Sequence, residues 1–235
     1  YLHHLPFYGL AVLCLDDPQV SSILDAVTRP VITYGIDSDA DVRAINVEQQ
    51  GMQTHFTVLR KGHTTDLSVT LNLPGRHNVL NALAAVAVAT ELGVSDDNIR
   101  RALAGFQGIG RRFQVAGEIS MAAGSVLLID DYAHHPREIA PTLAAVRAGW
   151  PERRLVLVFQ PHRYSRTHDL LDDFVQVLSG ADVLVLCEVY AAGEAPVSGA
   201  DGRALARGIR ARGPVDPVFV EELADLPAVL SDLLR

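Results

Sequence analysis

Asp130-Asp131-Tyr132-Ala133-His134-His135-Pro136 and Gln160-Pro161-His162-Arg163-Tyr164-Ser165-Arg166-Thr167 are the two stretches on which the reading of this chain turns. Each follows a short apolar run (125–129 and 155–159), and each precedes a helical pattern. A short apolar run that leads into a helix is the repeating step of an open α/β sheet. Ligands of such sheets bind beyond the carboxyl ends of the strands. The first stretch places carboxylates and imidazoles at that edge, and the second places two arginines three residues apart. A site that must hold an anionic substrate and manage a proton needs that mixture.

Working outward, the alternation begins after Gly108-Ile109-Gly110-Arg111-Arg112-Phe113. Strands are expected at 113–119, 126–129, 155–159, 183–187 and 215–220, with helices at 136–150, 168–178, 202–211 and 223–234. Strands separated by helices imply a parallel sheet. Upstream the pattern differs. A strand at 9–15, a short helix at 18–27 and a strand at 31–34 precede three β-rich runs, 42–49, 53–59 and 66–73. Turns at Gln50-Gly51 and Lys61-Gly62-His63 make these antiparallel neighbours. Helices follow at 77–92, stopped by Gly93, and at 96–106, capped by Ser95 with Asp96 and Asp97 in the first turn. The expected organisation is α/β in two domains, 1–111 and 112–235.

Composition excludes several classes. The formal net charge is −8 over 235 residues, the wrong sign for a general nucleic-acid binder. A local cationic pocket for a small anion remains compatible with it. Cys14 and Cys187 sit far apart in apolar runs and read as buried thiols in a reducing compartment. No stretch approaches the roughly 20 apolar residues of a membrane helix, and there is no basic region followed by an apolar signal core, so a cytoplasmic setting is expected. The chain opens without Met, on Tyr1-Leu2-His3-His4-Leu5-Pro6, and closes on the amphipathic run 223–235 with no strand after it. It therefore reads as a fragment of a longer enzyme.

Each candidate site has a plainer alternative. Asn78 and Asn81 lie three apart and share a helix face; they either present amides to a ligand such as an adenine edge, or cap the helix and face solvent. Arg111-Arg112 follows a Gly-x-Gly that leads from helix to strand, the reverse of a dinucleotide fingerprint. The guanidiniums suit phosphate, yet paired linker arginines are commonly just solvated. Asp131 or His135 could cap the helix that Pro136 begins. A zinc site built from the Asp/His segment with His162 and His168 is a sharper rival, although adjacent histidines converge poorly on one ion. His55 and His63 read as turn or surface residues.

Taken together, six strings resemble the Mur ligase family: 5–9, 75–82, 110–113, 130–136, 159–167 and 189–196. They cover the chain in order. The resemblance implies the second half of a central ATP-binding domain (1–111), followed by most of a Rossmann-like amino-acid-binding domain truncated at its end (112–235). It implies an ATP-dependent amide ligase that adds L-alanine to UDP-N-acetylmuramate through an acyl phosphate in cytoplasmic peptidoglycan precursor synthesis. ATP and Mg²⁺ would serve the full-length enzyme, with the Mg²⁺ ligands and the phosphate loop outside this chain, so the fragment alone is expected to be inactive. Asn78, Asn81, Arg112 and Asp131 would bind nucleotide, Asp131 at the ribose or the phosphates. Tyr132, His134, Arg163 and Arg166 would hold the alanine, Arg112 and His134 would act in catalysis, and His135 stands behind them. No metal ligand, nucleic acid or membrane is implied, and a homodimer stays open. The rival classes are a non-enzymatic module for a small anion or a partner protein, and a zinc-dependent hydrolase.

Overall fold

A computed structural model of the chain describes residues 2–121 and 124–234; Tyr1 and Arg235, at the ends noted above, lie outside them. The chain divides into two compact units, Tyr1–Gly108 and Ile109–Arg235.

The first unit is a five-stranded mixed sheet in the order β1-β2-β3-β4-β5. Strand β1 (Ala11–Cys14), β2 (Val31–Gly35) and β3 (Val42–Gln50) run parallel, while β4 (Gln53–Arg60) and β5 (Leu67–Leu71) return as antiparallel neighbours. The parallel pairs are joined by connections of unequal length. One contains α1 (Pro18–Ser22), where Asp17 accepts from the amides of Gln19 and Val20, and a 3₁₀ turn at Leu24–Ala26. The antiparallel pairs need only the two tight turns the sequence supplies. Helix α2 (Arg76–Glu91) buries Val79, Ala82, Leu83, Val86 and Ala87, the i, i+3, i+4, i+7, i+8 spacing of one helix face. That face packs on Val42, Phe56, Val58, Leu67 and Val69 of the sheet. Helix α3 (Asp96–Gly105) closes the unit, with Asp96 paired to the buried Arg60 at 2.7 Å.

The second unit departs from the expected sheet. Strands β6 (Gln114–Met121) and β7 (Gly124–Asp130) form an antiparallel hairpin of their own. Only two residues separate them, too few to carry the chain back to the start of a parallel neighbour, so the pair closes as a hairpin. The parallel sheet holds three strands, in the order β10-β9-β8: β8 (Val156–Phe159), β9 (Val183–Cys187) and β10 (Val218–Val220). Between β7 and β8 lies a cavity of about 680 Å³, lined by residues that include Leu128, Ile139, Leu143, Trp150, Leu157 and Leu230.

Helices α4 (Pro136–Gly149), α6 (Leu171–Leu178) and α7 (Gly202–Arg212) cover the sheet, and α8 (Leu226–Leu233) follows β10. The central strand β9 is buried on both faces, as a parallel strand clothed by helices should be. The helix expected at 168–178 is two, because α5 (Tyr164–Asp169) ends at Leu170 before α6 begins. No helix among the described residues is long and apolar enough to cross a membrane.

The α2 face should dominate the stability of the first unit. Leu83 is fully buried, whereas Leu92 at the helix end is 74% exposed. Leu83→Ala is expected to cost about 2–5 kcal/mol by denaturant titration, and Leu92→Ala little. Equal costs would contradict the packing described.

Candidate functional site

Where β7 ends and α4 begins, the backbone is pinned by side chains. His135 is the N-cap of α4, its Nδ1 accepting from the amide of Arg137 at 3.2 Å, and Pro136 takes the first helical position. Glu138 reaches back from the first turn to accept the amide of His134 at 3.0 Å. Asp131 accepts from the amides of Ala133 (2.8 Å) and Phe113 (3.0 Å) and from the Thr142 hydroxyl (3.2 Å), tying β7, the β6 entry and α4 together. Burial raises the Glu138 carboxyl, but the amide of His134 and the charges of His134 and Arg112 outweigh it and leave it below the ordinary range.

His134 Nδ1 lies 3.0 Å from the carbonyl of Tyr132. A carbonyl only accepts, so Nδ1 carries the hydrogen and Nε2 of the neutral ring keeps a free lone pair. Tyr132 is 44% exposed and lies under two guanidiniums, Arg111 at 5.0 Å and Arg112 at 5.8 Å from its ring centre. Arg112 also faces Glu138 at 3.8 Å, and Arg111 faces Asp130 at 3.5 Å.

Beyond β8 and β9 the two chains stay in register. His162 pairs with Tyr190 as a parallel bridge, the Tyr190 amide donates to Pro161 O, and the Arg163 amide donates to Tyr190 O, both at 2.8 Å. Arg163 sits at φ 74, ψ 132, a backbone state that residues with a Cβ adopt at a cost of about 1–3 kcal/mol. Strain of this kind persists only where neighbouring contacts impose it. Here Arg163 stands half-exposed, beside Glu194 at 3.5 Å. Arg163, Ser165 and Arg166 share an open pocket of about 410 Å³ with His135, Asp169 and Leu170.

The two loops meet through rings. Tyr132 and His134 are 5.1 Å apart edge-on, His134 stacks on His162 at 6.1 Å, and His162 contacts Tyr190 at 5.1 Å. Burial pushes the His162 imidazole below its ordinary value, and charge on His134 when it is protonated, with that of Arg166 and Arg111, pushes it further. The result is one edge with four guanidiniums and two imidazoles of unlike environment, with Asp130, Glu138 and Glu194 as counter-charges to Arg111, Arg112 and Arg163. Such an edge can bind a carboxylate or phosphate and accept a proton beside it.

Comparison with known proteins places this geometry. Residues 111–235 match the family described as Mur ligase, glutamate ligase domain, and residues 2–89 match the Mur ligase middle domain. The chain belongs to the Mur ligase family. Among solved structures it is similar to UDP-N-acetylmuramate–alanine ligase MurC from Thermotoga maritima, with 29% identity over 94% of this chain and a TM-score of 0.72. It is also similar to a murein peptide ligase from Psychrobacter arcticus, with 26% identity over 96% of this chain and a TM-score of 0.64. MurF from Acinetobacter baumannii shares the fold at 23% identity over 99% of this chain, with a TM-score of 0.71. This chain spans 45–47% of the length of these three relatives.

Within this Mur ligase chain, the structure brings together Arg112, Tyr132, His134, Arg163 and Arg166 around one edge of the second unit. Asn78 and Asn81 lie in the first unit, at the start of α2. Asn78 donates to Pro74 O at 2.8 Å and Asn81 is exposed. Asp131 spends both oxygens on protein donors. Among the described residues no group of three His, Cys, Asp or Glu side chains is placed to hold a metal ion, which leaves the zinc-hydrolase alternative without a ligand set there. Four members of the cluster were not singled out for this role from the sequence: Glu138, His162, Tyr190 and Glu194. The spacing of His134 and Glu138, one helical turn apart, was a legible signal; Tyr190 and Glu194 join only through the fold.

By proton NMR, the His162 ring should titrate below the ordinary histidine value of 6.5 and move upward in Arg166→Ala. Because its folded pKa is depressed, its contribution to stability is complete above 6.5 and erodes as pH falls. A titration at or above the ordinary value, or one indifferent to Arg166, would contradict this arrangement.

Proposed function

We propose that this chain serves an ATP-dependent amide ligase that joins L-alanine to UDP-N-acetylmuramate, a cytoplasmic step in peptidoglycan precursor synthesis. The observation that carries this reading is the pair Arg163 and Arg166 on one small open pocket, the first of them held in strained backbone. The similarity to the alanine-adding ligase of Thermotoga maritima supports the choice of amino acid. In this reading residues 1–111 belong to the ATP-binding domain, where Asn78 and Asn81 meet the adenine. Residues 112–235 form the amino-acid-binding domain.

The chemistry divides into two steps. The muramate carboxylate attacks the γ-phosphate of ATP, breaking the bond to the β-phosphate and releasing ADP, to form an acyl phosphate; the alanine amine then attacks the acyl carbon and expels phosphate. Mg²⁺ would neutralise charge on the ATP phosphates, held by ligands outside the described residues. Phosphoryl transfer depends on positioning and charge neutralisation more than on covalent help from the protein. Arg112, stacked near Tyr132 and facing Glu138, is the guanidinium assigned to the phosphates, with Asp131 beside it at the ribose or the phosphates.

In the second step the amine must lose a proton before it can attack. Arg163 and Arg166 grip the alanine carboxylate, Tyr132 walls the site, and the free Nε2 of His134 receives the proton. A carboxylate gripped by two guanidiniums leaves the amine as the end free to turn toward the acyl carbon.

Arg163→Ala in the complete protein should raise the alanine KM far more than the ATP KM. One charge-assisted hydrogen bond is worth roughly 1.5–3 kcal/mol, or on the order of a 10- to 150-fold change. Arg163→Lys should recover only part, since an ammonium lacks the planar fork. An unchanged alanine KM in Arg163→Ala would assign the carboxylate elsewhere.

A further inference from the structure

Helix α5 starts without a capping side chain of its own. Its N-cap is Arg163, whose side chain makes no cap hydrogen bond to the first turn. The missing acceptor comes from 29 residues downstream, where Glu194 Oε2 accepts the Ser165 amide at 3.0 Å and Oε1 accepts the Ser165 hydroxyl at 2.8 Å. The same Oε1 lies 3.5 Å from Nη1 of Arg163. Glu194 arrives on a turn in which Ala192 (φ 51) and Gly193 (φ 85) are both left-handed, closed by the Glu194 amide donating to Ala191 O at 3.0 Å. A left-handed alanine is uncommon and costs free energy, so the turn is imposed by what it presents.

We propose that Glu194 is the positioning residue for the Arg163 guanidinium, fixing it for capture of the incoming amino-acid carboxylate; this rests on the reading of Arg163 given above. A long, half-exposed arginine otherwise samples many rotamers, and binding must then order it. The Glu194 carboxylate removes that cost in advance. It is fixed by Ser165, so it cannot follow the arginine, and it engages one nitrogen edge only. A guanidinium has five N–H donors, and the remainder stay available to a planar carboxylate. Glu194 itself stays ionised at neutral pH, because the Ser165 amide and hydroxyl, and then the Arg163 charge, hold its carboxyl below the ordinary range. Two arms of the site are thereby coupled: the loop after β9 sets the arginine that follows β8.

The test is a set of steady-state assays on the complete protein, varying L-alanine and ATP separately. Glu194→Ala should raise the alanine KM about fivefold, the size of a lost helix cap, with the ATP KM unchanged. Glu194→Gln should recover part, since its amide oxygen still accepts from Ser165 but offers Arg163 no charge. In an Arg163→Ala background, Glu194→Ala should add nothing further, because the residue acts through the arginine. The proposal is overturned if Glu194→Ala leaves the alanine KM at or below wild type. It is equally overturned if Glu194→Ala raises the KM by the same factor with or without Arg163, or raises the ATP KM in step. Should Arg163→Ala alone leave the alanine KM unchanged, the reading beneath the proposal fails instead.

Discussion

Two hydrogen bonds beyond the end of the parallel sheet govern the candidate site. The Tyr190 amide donates to Pro161 O and the Arg163 amide to Tyr190 O, which extends the pairing of β8 and β9 past the last residues of either strand. Sheet order is thus carried into the loops, where side chains become available to a ligand. Arg163 would relax out of its left-handed conformation without the second of these bonds, and its guanidinium would leave the pocket it shares with Arg166. The strain is local, and the restraint is supplied by Tyr190, in the segment that continues β9 past its last residue.

The hairpin contributes from the other side. Its end is tied down by Asp131, which receives donors from the residue before β6, from the turn and from α4. That triple anchorage delivers Tyr132 and His134 to His162 and Tyr190. The resulting row of rings separates charges of the same sign: Arg111 and Arg112 lie at the Tyr132 end, and Arg166 lies beside His162. Aromatic faces between cations lower the cost of gathering them, and the two glutamates sit where they orient cations without occupying the pocket. Unlike surroundings for two stacked imidazoles are also useful. One has a tautomer dictated by a backbone carbonyl, and the other is biased toward neutrality by burial and by neighbouring charge.

Much of this was legible in the sequence. The apolar runs before Asp130 and Gln160 marked the two strand ends, and the apolar spacing 79-82-83-86-87 marked the buried face of α2. The hairpin at 114–130 departs from the parallel expectation because no helix separates its strands, and two residues between Met121 and Gly124 permit only a reversal. Leu170 divides a helical pattern that periodicity alone reads as continuous. Glu194 was not legible at all as a partner of Arg163, since it meets Ser165 across 29 residues and through a turn whose geometry no local preference announces. Asp131 shows the converse: the sequence marks it as chemically interesting, and the fold shows how much of its capacity goes to architecture.

The central claim is that the edge built by Tyr132, His134, Arg163 and Arg166 receives the carboxylate of the amino-acid substrate. The most direct measurement is a crystal structure of the complete protein with L-alanine and a non-hydrolysable ATP analogue. The account predicts the alanine carboxylate within hydrogen-bond reach of both Arg163 and Arg166, with the amine on the His134 side. A carboxylate bound elsewhere, with both guanidiniums still in solvent or given wholly to Glu194 and His162, would contradict it.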